Sequence, residues 1–237
     1  MNVYWAVWKD ELIPSAKHYP PEKAIYSFPN LTYRDPYRTD HISGCPAFVR
    51  YFENTYVLKW PVSYSLNVNS QGELTTNDYD QEFFDNFILP REIRKRIYSF
   101  STQYIFIAEQ SLEIEVTKAH TVNTDFTRKV VMVPGLFDIG KWYRPLEIAA
   151  IIDSNCDSIS LVEGEPCALV RFKTENKINL KRVHLTPETK EIISRLIHTR
   201  HYPPLIKNHR PLEYFYDMLK QSGYRKYILK QIKENKL

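Results

Sequence analysis

The stretch from Phe126 to Leu185, FTRKVVMVPGLFDIGKWYRPLEIAAIIDSNCDSISLVEGEPCALVRFKTENKINLKRVHL, constrains the fold more than any other part of the chain. It reads as consecutive β-strands broken by turns. Near its end lies a recurring β phrase: a short polar strand, a Gly-x-Pro turn (Gly164, Glu165, Pro166), then an apolar strand from Cys167 to Phe172. Strands that follow one another without interposed helices pair antiparallel, because a parallel pair needs a long crossover, usually a helix.

The same period of two recurs upstream. In Thr55 to Asn69, Val62, Tyr64, Leu66 and Val68 share one face, and Ser63, Ser65, Asn67 and Asn69 share the other. In Leu112 to Ala119, Leu112, Ile114 and Val116 alternate with Glu113, Glu115 and Thr117. Further strands are expected at Val3 to Trp8, Ile97 to Ala108, Val130 to Pro134, Trp142 to Ile152, Ser158 to Val162 and Ile178 to Leu185. Pro46 to Phe52 suits a short helix with proline in its first turn. Asp80 to Arg94 mixes apolar and acidic residues around Pro90 and reads as a loop with a helical turn.

After Thr186 the pattern changes. Thr186-Pro187 is a capped helix start, and Ile192, Ile193, Leu196 and Ile197 follow at helical spacing. Two more helices are expected, from about Pro211 to Gln221 and from Tyr224 to Asn235, with Gly223 as a stop signal. The expected fold is therefore mainly β: an antiparallel jelly-roll or double-stranded β-helix-like sandwich with a helical C-terminal appendage. Residues 1–44 read as an extended, aromatic-rich arm with one strand, 45–186 as the sandwich body, and 187–237 as a basic helical segment.

Charge supports that division. Residues 177–237 carry 14 Lys+Arg and 5 Asp+Glu, a net +9, and residues 1–176 carry 18 and 23, a net −5. The basic segment offers Arg225, Lys226, Lys230 and Lys233 as candidate surface contacts for nucleic acid or an acidic partner. It lacks the aromatic stacking signature of an RNA-binding strand. The tail is expected to dock on the body through Ile192, Ile193, Leu196, Phe215, Leu219 and Ile228, with its Lys and Arg left wet.

Three phrases together resemble a group of uncharacterised proteins from large tailed phages, T4-like marine ones above all. They are CPAF at Cys45 to Phe48 followed by NTYVLKWPVSYSL, VPGLFDIGKWYRPLE at Val133 to Glu147, and GEPCALVRFKT at Gly164 to Thr174. The resemblance covers most of the chain from Cys45 onward. It implies a phage accessory protein that acts by binding or assembly in the host cytoplasm or in the virion, and it carries over no catalytic residue.

The chemistry that composition allows is narrow. Only 6 glycines are present where about 16 are usual, and no Gly-rich phosphate loop is seen. The seven histidines show no His-x-Asp/Glu or His-x-His pair on a strand, so neither a metal nor another cofactor is expected. His198, His201 and His209 read as solvated or capping residues. Cys45, Cys156 and Cys167 are odd in number without a CxxC spacing, which suits a reduced compartment. Cys45, with His41 four residues back, is the weak nucleophile candidate. Glu113 and Glu115, about 7 Å apart on one strand face, are the paired-carboxylate candidate. No run of 18 apolar residues crosses a membrane.

The best candidate site is the FDIGKWYRPLE loop, where Asp138, Lys141, Trp142, Tyr143, Arg144 and Glu147 cluster around Gly140. Arg beside Trp is a frequent contact pair for a protein partner or an aromatic ligand. The plainer reading makes it a structural loop in which Arg144 pairs with Asp138 or Glu147. Alternatives to an assembly role are a pocket in the β-body for a small, nucleotide-type ligand, and nucleic-acid binding through the basic tail.

Overall fold

A computed structural model describes residues 1–8, 19–27, 45–120, 122–198 and 223–235. Within them the chain is mainly β, in several antiparallel sheets that close into no barrel. In chain order the first elements are β1 (Asn2–Val7), β2 (Glu22–Lys23), α1 (Pro46–Phe52), β3 (Thr55–Lys59), β4 (Tyr64–Val68) and β5 (Leu74–Thr75). Then come α2 (Gln81–Phe87), β6 (Ile88–Glu92), β7 (Ile97–Ser101), β8 (Tyr104–Ala108) and β9 (Glu113–Lys118). They are followed by α3 (Asp125–Lys129), β10 (Val130–Val133), β11 (Gly135–Asp138), β12 (Glu147–Ile152), β13 (Ser158–Leu161), β14 (Pro166–Phe172) and β15 (Asn179–Arg182). Two C-terminal helices are described, α4 (Pro187–His198) and α5 (Tyr224–Glu234).

The alternations read from sequence become burial patterns. Tyr64, Leu66 and Val68 are buried while Ser65 and Asn67 are exposed. Ile114 and Val116 are buried between exposed Glu113 and half-buried Glu115.

The Gly-x-Pro phrase has a more particular role than a strand-turn-strand. Its two strands lie in different sheets: β13 pairs with β4, and β14 pairs with β3 and β9. The partner strand switches sheets at the same place. Trp60 N–H donates to the Glu165 carbonyl (3.0 Å), and Gly164 N–H donates to the Trp60 carbonyl (2.9 Å). One long antiparallel ladder therefore bends as a unit, with Pro61 on one side and Gly164, at φ +80°, on the other. A proline that cannot donate and a glycine free to adopt positive φ are what such a corner needs.

Three sequence expectations are corrected. Asp80 to Arg94 is no loop: the Asp80 carboxylate caps α2 by accepting the Phe83 N–H (2.9 Å), and the chain then enters β6. Pro90 is tolerated because β6 is an edge strand with a bulge beside it. The Phe126 end of the strand-rich stretch is helical, since Thr124 and Thr127 form a reciprocal capping box that starts α3. Phe126 then packs edge-on against Trp60 and Phe100, both at 5.2 Å. Finally, the strand expected from Trp142 begins only at Glu147.

β1 lies between β8, antiparallel to it, and β15, parallel to it. Its apolar run is continuous because both faces are covered. Val3, Trp5 and Val7, with Tyr104, Phe106 and Ala108 of β8, face the main core. Tyr4, Ala6 and Trp8, with Ile105 and Ile107, face a second core built with Tyr143, Val183, Ile193, Ile228 and Ile232. Thr186 caps α4, its hydroxyl accepting the Thr189 N–H at 3.3 Å. Gly223, at φ +78°, leads directly into α5. The Leu196 side chain, Phe215, Leu219 and the helix expected at 211–221 lie outside the described residues.

Candidate functional site

The loop from Asp138 to Glu147 divides into three unequal parts. Asp138 is a structural hub. Its carboxylate accepts from Leu112 N–H (3.1 Å), Gly140 N–H (2.9 Å) and the Ser111 hydroxyl (2.8 Å), and Lys141 Nζ lies 3.9 Å away. Its carbonyl accepts the Lys141 and Trp142 N–H groups. The carboxylate is thus committed to stitching β11 to the turn before β9. Gly140 sits so close to that turn that a Cβ would lie 2.5 Å from the Gln110 carbonyl oxygen.

The second part joins two features that the sequence kept apart. Tyr143 is buried, and its hydroxyl donates to the Gly140 carbonyl (2.8 Å) while accepting from Arg225 Nε (3.1 Å) on α5. Burial raises the Tyr143 pKa, and Arg225 partly opposes that rise. Arg225 also donates to the Glu109 carbonyl. The Glu109 carboxylate in turn receives Tyr4 (3.0 Å) and Lys233 (3.1 Å). Arg225 and Lys233 therefore face the body. Lys226 and Lys230 are exposed, and Lys230 lies 3.9 Å from Glu234.

The third part is a buried polar cluster on the outer face of the four-stranded sheet β10-β12-β7-β6. Arg144 is 2% exposed, stacked 5.4 Å over Trp142, with Nη2 3.7 Å from Glu147 Oε1. Glu147 stands opposite Ser101 in the ladder and also pairs with Arg91. Arg91 Nε donates to the Ser99 hydroxyl (2.7 Å). Gln103 Nε2 donates to the Ser101 hydroxyl (2.9 Å) and the Asn86 carbonyl (3.2 Å). Arg144 Nε, Arg144 Nη1 and Gln103 Oε1 are buried without a hydrogen-bond partner. Ser99, Ser101, Gln103 and Arg91 escaped the sequence reading. The signal for Ser99, Ser101 and Gln103 was the polar alternation in SFSTQ, which looks like an ordinary solvent-facing row.

The remaining candidates are spread elsewhere. Glu115 lies between Lys173 (2.8 Å) and Arg171 (4.0 Å), so its charge is spent in ion pairs. Nearby, Arg50, Glu53, Asn54, Arg171, Lys173 and Glu175 line a groove of about 490 Å³ whose charges are mixed in sign. Cys45 is exposed, while Cys156 and Cys167 are buried and burial raises both thiol pKa values, against thiolate chemistry. His41, His201, His209 and the His198 side chain lie outside the described residues. Among the described residues, no three His, Cys, Asp or Glu gather as a metal set, and no helix is long and apolar enough to cross a membrane.

No protein-family model matches the chain, and no curated protein matches it either.

Proposed function

We propose that the protein is a phage accessory protein that acts by assembly, with β10 as its contact strand. The observation that carries this reading is an unguarded edge. Edge strands normally carry proline, charge or a bulge that discourages pairing with another chain. β6 has Pro90, Arg91 and Glu92, β15 has Lys181 and Arg182, and β2 is Glu22 and Lys23. β10 is Val-Val-Met-Val and ends its sheet. Val131 is 65% exposed and Val133 43%, and Ile151, opposite Val131 in the ladder, is 38% exposed.

The occupant this edge fits is a second copy of the chain. Two antiparallel edges related by a twofold axis pair isologously. Directly opposed residues share a face, so the register must keep Val131 and Val133 on one side. Met132 then faces its own counterpart, and Val131 faces Val133 of the second copy. Pro134, which has no N–H to offer, falls at the end of that ladder. Among the described residues, α4 and α5 pack against the second face of β1, in a core that contains no β10 residue.

Light scattering of the full chain tests the reading. The wild type should run as a dimer at about 100 µM, and Val131→Lys should run as a monomer with an unchanged circular dichroism spectrum and a melting temperature that no longer depends on concentration. A monomeric wild type at that concentration sinks the dimer. Mass spectrometry of purified virions separates a particle component from a factor that stays in the host.

The exposed tail lysines favour nucleic acid less, because Arg225 and Lys233 already face Glu109.

A further inference from the structure

Arg144 presents a charge balance that the fold leaves open. Two guanidinium groups, Arg91 and Arg144, share one carboxylate, Glu147. Arg91 is partly exposed and hydrogen-bonded, but Arg144 is 2% exposed and its closest carboxylate contact, 3.7 Å, is longer than a hydrogen bond. Its Nε and Nη1 donate to nothing. A buried cation in that position is costly unless an anion completes it. Gln103, which donates to the Ser101 hydroxyl opposite Glu147, is 3% exposed and sits at φ +62°, a left-handed conformation rare for a residue with a side chain, and its Oε1 accepts nothing. Buried donors without acceptors, a buried acceptor without a donor and a strained residue gather on one end of one sheet face. Such groupings persist where they serve a site.

We infer that Arg144 anchors an oxyanion site, taking a phosphate or carboxylate group. Arg144 supplies charge and directed N–H groups, and the planar guanidinium suits either oxyanion. Its Nε and Nη1 are shut off from solvent in this conformation, so the anion displaces the side chains over them. Trp142, half-buried and stacked on the guanidinium, is the one that reports the event. The other three tryptophans, Trp5, Trp8 and Trp60, are buried in the cores. The inference is independent of the β10 edge, and either can fail alone.

The test is thermal melting and intrinsic tryptophan fluorescence of the full chain, titrated with sodium phosphate, sodium acetate and sodium chloride at matched ionic strength. Phosphate or acetate should raise the melting temperature by roughly 5–10 °C at about 100-fold over Kd, with a fluorescence change, and chloride should do neither. A response to phosphate alone assigns a phosphate ligand, and one to acetate alone a carboxylate. Arg144→Met should abolish the response yet melt no lower than wild type without anion, because Glu147 keeps Arg91 and the methionine leaves no unmet N–H. Arg144→Lys keeps the charge without the fork, and should weaken the response about tenfold or more while folding normally. No anion-specific response in the wild type overturns the site. So does a response that Arg144→Met or Arg144→Lys retains at full strength.

Discussion

Replacing Ile228 by Ala tests whether the second core holds the C-terminal helices to the body. Ile228 is 0% exposed, and it shares its cluster with Ile193 (0%), Ile232 (1%), Tyr4, Trp8, Ile105 and Ile107. Removing three methylene-equivalents from such a site costs about 2–5 kcal/mol, transfer plus cavity. At the middle of that range, and about 2–4 °C per kcal/mol for a chain of this size, the melting temperature should drop by roughly 7–14 °C. Tyr227, one residue away and 38% exposed, is the control, and Tyr227→Ala should stay within about 0.5 kcal/mol of wild type. Charge attraction between the tail 187–237, net +6, and the rest of the chain, net −2, is the rival account. The Lys233–Glu109 pair is 48% and 42% exposed, so it contributes little, and salt should barely move the transition. Ending the chain at Thr186 removes all three isoleucines, about 5–9 kcal/mol of burial, comparable with the whole stability of a domain. That fragment should bind apolar dyes and lose its cooperative melt. If Ile228→Ala melts within two degrees of wild type, or if 0.5 M salt lowers the melting temperature as much as the substitution does, packing is not what holds the tail.

Two further outcomes follow from the loop and from α3. Gly140→Ala should destabilise by about 2 kcal/mol or more in chemical denaturation, because the new Cβ meets the Gln110 backbone at 2.5 Å and one of the two turns must shift. Asp125 is pushed up by burial, but the Ser160 N–H (2.8 Å) and Lys129 (2.9 Å) outweigh that and hold its pKa below the usual carboxylate value. A depressed folded pKa adds stability that is present above the ordinary value near 4 and is lost as pH falls through the folded one. Asp125→Asn should therefore cost about 1–2 kcal/mol at pH 7 and flatten the acid limb of the stability profile, read as melting temperature from pH 7 to pH 2. An acid limb equal to wild type would show that the pair is not formed in solution.

The strands were legible because period-two burial is written locally: Tyr64, Leu66 and Val68 alternate with polar residues whatever lies above them. The helix starts at Thr186 and at Pro46 were legible for the same reason, since a capping hydroxyl, or a proline in the first turn, acts only within its own next few residues. Pairing was not local. Nothing in Ser158 to Phe172 says that its two strands belong to two sheets, because the corner at Gly164 is closed by hydrogen bonds to Trp60, a hundred residues away in sequence. The helical turn at Asp125 was hidden because Thr serves at both ends of its capping box, in a stretch rich in strand formers. The candidate loop could be picked out by composition, but its division of labour could not. Asp138 and Arg144 are six residues apart and look alike as charged loop residues. One has three N–H or O–H donors around its carboxylate, and the other is buried with two nitrogens unmet. Likewise Ser99, Ser101 and Gln103 have the pattern of a wet strand face. Only the packing above that face removes the water, and removing the water is what turns a polar row into a site. The sequence by itself determined which residues alternate and where helices begin, because those depend on neighbours along the chain. Which faces lose their solvent depends on neighbours in space, and the tertiary structure alone decided that.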